Sequence, residues 1–158
     1  MQSFFRILSV VCLFVACAAD AQAASYNRLY VFGDSYSDNG AGYLDGNGPT
    51  AVAYLAKKMN TPFTHSHDPE ANEQSISFAV TAASSGAGAG QPVGELLLAV
   101  GMLNQVEDFA ARVREKKISF NPETTLFFIQ GGLNDSETPA KFTTDNLKRE
   151  IEILKSVG

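Results

Sequence analysis

Positions 29–32 are uninterruptedly apolar, Leu29-Tyr30-Val31-Phe32, and the run breaks at once into Gly33, Asp34 and Ser35. Aromatic and β-branched residues without alternation predict a strand buried on both faces. Gly33 then allows a sharp turn. A Gly/Asn/Asp-rich loop over 39–49 follows, and Pro49 suits the first turn of a helix. Val52, Leu55, Ala56 and Met59 fall at i, i+3, i+4 and i+7, one apolar stripe facing a sheet. Residues 61–74 read as polar and irregular. Residues 75–80 alternate polar and apolar and predict a second strand, and 81–94 is a small-residue run that reads as a mobile loop. Residues 95–117 predict a long helix, with Leu96, Val100, Leu103, Val106, Ala110 and Val113 on one side. Gly101 in its interior would cost about 1 kcal/mol relative to alanine. A third strand is predicted at 126–129, and a last helix from about Thr144 with Leu147, Ile151 and Leu154 on its apolar face.

Strands alternating with helices imply α/β architecture, a parallel sheet with right-handed crossovers. Ligands of such sheets bind outside the carboxyl ends of the strands. Ser35 would stand at such an end, a sensible seat for a nucleophilic hydroxyl. An ordinary polar turn, with Asp and Ser capping a helix, explains the same residues on spacing alone.

The 158 residues carry a net charge of −5 and are 45% hydrophobic, which fits one globular domain and argues against a nucleic-acid partner. The first 23 residues read differently. Arg6 precedes an uncharged apolar run over 7–19, and Ala21-Gln22-Ala23 is a good cleavage site, with Ala19-Asp20-Ala21 as another. This fits a secretory signal better than a membrane span. The expectation is a signal peptide over 1–23, a folded domain over 24–158, and a secreted or periplasmic protein. Lipoprotein anchoring is the alternative, since Phe14-Val15-Ala16-Cys17 resembles a lipobox. Both cysteines, Cys12 and Cys17, lie in this segment, so the processed domain would have no disulfide and no thiolate metal site.

Gly33-Asp34-Ser35-Tyr36-Ser37-Asp38 resembles the first block of the GDSL, or SGNH, hydrolases, a superfamily of esterases and lipases. The stretch from Asn47 to Ala56 is similar to the segment that follows that block in many bacterial members. Ser77-Phe78-Ala79-Val80-Thr81-Ala82-Ala83 resembles the family's Asn-Phe-Ala-x-Gly-Gly-Ala, with Ser77 in place of Asn and Thr81-Ala82 in place of the glycines. Gly132-Leu133-Asn134-Asp135 matches Gly-x-Asn-Asp. The likeness runs from about 26 to 135.

It implies a three-layer α/β/α, flavodoxin-like fold with about five strands. It implies a serine hydrolase acting on carboxylic esters without metal or organic cofactor. Ser35 would be the nucleophile and its N–H an oxyanion donor. The Thr81 N–H and the Asn134 side-chain amide would be further donors, supported by Gly33, Asp34, Gly132 and Asp135. The partner would be a small-molecule or lipid ester. Asp34 is expected to orient the turn, with a pKa near the ordinary value of about 4.

The family's final Asp-x-x-His block is missing, since no histidine follows His67. With three predicted strands against the family's five, this suggests the N-terminal part of a longer hydrolase, an incomplete fold with impaired or no turnover. A secreted, non-catalytic module that keeps the ester-binding cleft is the alternative. A flavin or nucleotide binder draws only on the Gly86–Gly90 repeat, which lacks the Lys-Ser/Thr ending of a phosphate loop. His65 or His67 could stand in as base. His65-Ser66-His67-Asp68 could also be metal ligands, though a surface loop is the plainer account.

Overall fold

The apolar run at 29–32 lies at the centre of the sheet. The computed structural model describes residues 26–40, 47–69, 71, 75–88 and 100–158. The expected signal segment, both cysteines and residues 95–99 of the expected long helix lie outside the described residues. Within them are β1 (Arg28–Gly33), α1 (Ala51–Lys58), β2 (Phe63–His65), β3 (Ser75–Ser77), α2 (Met102–Arg114), β4 (Thr125–Gln130) and α3 (Ala140–Lys155), with short 3-10 turns at Pro122–Thr124 and Leu133–Asp135. The four strands form one sheet in the order β2-β3-β1-β4, every pair parallel. The fold is α/β, with helices on both faces of a parallel sheet.

β1 alternates its side chains between two cores, as pleating requires. Leu29 and Val31 pack with Val52 and Ala56 of α1. Tyr30 and Phe32 face the other way, onto Val106 and Phe109 of α2 and Leu154 of α3. The second core is aromatic: Phe109 lies 4.7 Å from the Tyr30 ring and 5.6 Å from the Phe32 ring, centroid to centroid. β1 pairs with β4 along its whole length, from Arg28 opposite Thr125 to Gly33 opposite Gln130. Gly33 belongs to the strand, and its lack of a side chain serves close approach: a Cβ there would sit 2.6 Å from the Gln130 carbonyl oxygen.

Several expectations are corrected. Residues 63–65 form a strand, added parallel to β3 with Phe63 opposite Ser75. The strand expected over 75–80 ends at Ser77, and Ser75 and Ser77 are fully buried. Their hydroxyls are occupied: Ser75 Oγ accepts from the Leu29 N–H, and Ser77 Oγ donates to the Ser37 carbonyl. The cap of α1 is Thr50, whose Oγ1 accepts from the Ala53 N–H, so Pro49 lies just outside the helix. Gly101 is the N-cap of α2 and not an interior weakness. A Cβ on it would collide with the Gly86 carbonyl. Within the described part of the small-residue run, 82–86 is closely packed: Ala82, Ala83, Ser84, Ser85 and Gly86 are all buried.

α3 starts at Ala140, and its inner face is turned relative to the expected stripe. Glu150 and Leu154 are buried while Ile151 is exposed. Leu147, Glu150 and Leu154 share that face at helical spacing; a glutamate in the middle of it hides the pattern. Both Glu150 carboxyl oxygens lack a hydrogen bond among the described residues. Burial first, and then the nearby Asp135 carboxylate, push its pKa from the ordinary glutamate value up to about 8. Because the folded-state value is raised, the proton stabilises the fold. That contribution is complete below about pH 4.5 and is lost as pH rises through about 8. We expect Glu150→Met to flatten the fall in stability between those values and to stabilise the fold above pH 8 by up to about 5 kcal/mol. Urea denaturation of both forms across that range measures it.

Candidate active site

The carboxyl end of β1 is clamped before the Ser35 turn begins. Gln105, buried on α2, accepts from the Gly33 N–H through Oε1 and donates through Nε2 to the Gly33 carbonyl, both at 2.9 Å. The chain then folds over Asp34, whose carbonyl accepts from the N–H groups of Ser37 and Asp38. Asp34 Oδ1 accepts from the Tyr36 N–H, and Oδ2 receives Gln130 Nε2 from the end of β4. Ser35 sits half-buried in this turn. Its hydroxyl has no hydrogen-bond partner among the described residues.

Two more loops converge on the same end of the sheet. Asp38 Oδ2 accepts from the Thr81 N–H at 2.8 Å and from the Thr81 hydroxyl at 3.0 Å, joining the Ser35 turn to the segment after β3. Asn134, in the turn after β4, donates from Nδ2 to the Ala83 carbonyl at 2.9 Å. Asp135 accepts from the Ser85 N–H and from the Thr143 hydroxyl of α3. Gly132 opens the third turn in a left-handed conformation (φ 103°), and a Cβ there would meet the Thr143 methyl at 2.9 Å. Ser35, Thr81 and Asn134 are therefore brought to one end of the sheet, on three loops hydrogen-bonded to one another.

A model of the family described as GDSL-like Lipase/Acylhydrolase matches residues 29–156. The chain belongs to that family. No curated relative matches the sequence.

The GDSL fold here buries three carboxylates at this end of the sheet, Asp34, Asp38 and Asp135. Burial pushes the Asp34 pKa up, against the hydrogen bonds from Tyr36 and Gln130, so the expectation of an ordinary value is corrected. Burial also acts on Asp135, but hydrogen bonds from Ser85 and Thr143 outweigh it and hold the group below its usual range. Asp38 is buried against Thr81 and the Gly40 N–H.

Position 82, where the family's glycine is replaced, keeps a glycine-type backbone, for Ala82 has φ 67°. Only the positive φ reveals this; the alanine itself gives no sign. Its N–H donates to no described residue, whereas the Thr81 N–H is held by Asp38. Gln105 and Thr143 were also missed by sequence reasoning, since a polar residue inside an apolar helical stripe reads as surface.

Among the described residues, His65 makes no hydrogen bond to the three loops. His65 ends β2, two strands from β1 and roughly 10 Å across the sheet. Its ring packs near Gly40, and its buried Nδ1 has no partner among the described residues. His67 is exposed. Asp68 Oδ2 accepts from the Thr64 hydroxyl, and the described residues contain no metal-type cluster of three or more His, Cys, Asp or Glu. Of the Gly86–Gly90 repeat, 89 and 90 lie outside the described residues. Gly88 donates its N–H to Asn104 Oδ1 at the start of α2. A groove of about 890 Å³ under α1 is lined by Asn39 and by residues 47–50 among the described part of the loop that follows Ser35. No helix among the described residues is long and apolar enough to cross a membrane.

Replacing Gln105 by Leu leaves the buried Gly33 N–H without an acceptor and should destabilise the fold by about 1–3 kcal/mol. Ala82→Gly removes a left-handed alanine and should stabilise it by up to about 1 kcal/mol. Shifts in urea midpoint at unchanged slope measure both.

Proposed function

We propose that this GDSL-family chain is an exported ester-binding hydrolase in which Ser35 is the nucleophile and Asn134 an oxyanion donor. The observation that carries this reading is the convergence of their turns. They leave adjacent strands in register, Gly33 opposite Gln130, and both are tied to the segment 81–85. Ser35 Oγ would attack the ester carbonyl carbon, and the carbonyl oxygen would take up negative charge. The Ser35 N–H and the second N–H of the Asn134 amide would receive that charge. Among the second-block amides, that of Ala82 is the better third donor, because the Thr81 N–H is already engaged by Asp38. Collapse would expel the alcohol and leave an acyl-serine for water to hydrolyse. Residues 1–23 would direct export, and 24–158 would form the working domain.

Turnover is the weak step. A serine hydroxyl needs a base within hydrogen-bond reach, and this sequence has no histidine after His67. Asp34 is a poor substitute, since its carboxylate already accepts from the Tyr36 N–H and from Gln130 Nε2. The serine proton would pass to water, and acylation and deacylation would be slow. A second reading, a non-catalytic ester-binding module, is favoured by the engagement of Asn134 Nδ2 with the Ala83 carbonyl.

A fluorophosphonate probe and p-nitrophenyl acetate separate the two. The hydrolase reading expects labelling at Ser35, lost in Ser35→Ala and slowed about 100-fold or more in Asn134→Ala, with slow steady-state hydrolysis. Complete inertness of Ser35 supports the binding module. Fast hydrolysis that depends on Ser35 and survives replacement of both histidines contradicts the account of the missing base.

A further inference from the structure

A cleft of about 360 Å³ opens beside the Ser35 turn, between the start of α1 and the carboxyl end of β4. Two large apolar side chains form its rim, Tyr36 (67% exposed) and Leu133 (59% exposed). Tyr36 follows Ser35 in the chain, and Leu133 precedes Asn134, so both sides of the rim lie one residue from a proposed reacting group. Single exposed apolar residues carry no message. Two that bracket one cleft at one site do.

Val52 of α1 and Phe128 of β4 line the cleft below the rim. Among the described residues, none that lines it is charged. Two polar residues in its wall, Ser37 and Gln130, satisfy their own turn: Ser37 Oγ donates to Gln130 Oε1, and Gln130 Nε2 donates to Asp34 Oδ2. The alcohol part of a glycerol or sugar ester carries hydroxyls that would be left unpaired in such a cleft, at a cost. A hydrocarbon chain leaves nothing unpaired. The volume is near the lower limit of small-molecule sites, which run from about 300 to 1,000 Å³, so it suits a short chain.

We infer that the Tyr36–Leu133 cleft is the acyl-chain subsite of the Ser35 centre and accepts a short linear hydrocarbon acyl group. This rests on Ser35 being the nucleophile, and the test distinguishes the two claims. The probes are p-nitrophenyl alkylphosphonates with methyl, butyl, octyl or dodecyl on phosphorus and a constant ethoxy group. Ser35 Oγ bonds to phosphorus, the bond to p-nitrophenolate breaks, and the serine proton passes to solvent. No deacylation is needed for a signal. Released p-nitrophenolate gives the rate, and the intact mass and peptide map give the position.

The expected result is a second-order rate that rises about fourfold per added methylene from methyl to butyl and stops rising before dodecyl. Ala51 lines the cleft from the exposed first position of α1. Ala51→Phe should abolish the rise with chain length, so that the butyl probe reacts no faster than the methyl probe. Leu133→Ala should weaken the rise. Labelling of Ser35 at rates independent of chain length, or an unaltered profile in Ala51→Phe, overturns the subsite and leaves the nucleophile standing. So does a dependence that instead follows the alkoxy group when that group is lengthened. Failure of every probe, methyl included, to modify Ser35 overturns the nucleophile reading and the subsite with it.

Discussion

Buried carboxylates must be met by hydrogen bonds or lose their charge, and this requirement shapes the working end of the molecule. Asp34, Asp38 and Asp135 are all buried, and each reaches a different element. Asp34 is met by Gln130 at the end of β4, Asp38 by Thr81 after β3, and Asp135 by Ser85 and by Thr143 of α3. Hydrogen bonds to charged groups are worth about 1.5–3 kcal/mol each. Together they hold three separate loops against one another with no disulfide among them. The sheet supplies the alignment, since β1 and β4 run in register up to Gly33 and Gln130. The carboxylates fix what happens beyond the ends of those strands.

The same bonds that assemble the site also occupy it. The Thr81 N–H and one N–H of Asn134 are engaged inside the protein. An incoming ester oxygen would have to use donors left over, such as the other N–H of the Asn134 amide, or displace an internal acceptor. Preorganised donors are effective because they need no rearrangement as charge develops. Donors already committed to internal acceptors lose part of that advantage.

Much of the architecture was legible in the sequence, for physical reasons that also explain the failures. Residues 29–32 and 126–129 announce themselves because a strand with cores on both faces has no room for polar residues. β2 was missed because three residues ending in His65 carry no pattern; their register comes from β3. The inner face of α3 was misplaced because Glu150 occupies a core position. The packed segment 82–86 was read as mobile because small residues serve close packing as readily as flexibility. At the site, the polar pattern after the strands located two turns, and it was the resemblance of their blocks to the family that singled out Gly33, Asp34, Ser35, Gly132, Asn134 and Asp135. Gln105 could not be singled out, because its role depends on α2 lying across the end of β1. Ala82 could not, because a left-handed backbone is invisible when the residue is not glycine.

The account stands on Ser35 and Asn134 sharing one substrate oxygen. The most direct measurement is a crystal structure of the chain after phosphonylation of Ser35. The account predicts the phosphoryl oxygen within about 2.7–3.1 Å of Asn134 Nδ2, with the Asp38–Thr81 and Asp135–Ser85 bonds intact. A phosphoryl oxygen turned to solvent, with the Asn134 amide still bound to Ala83 and out of reach, would contradict it.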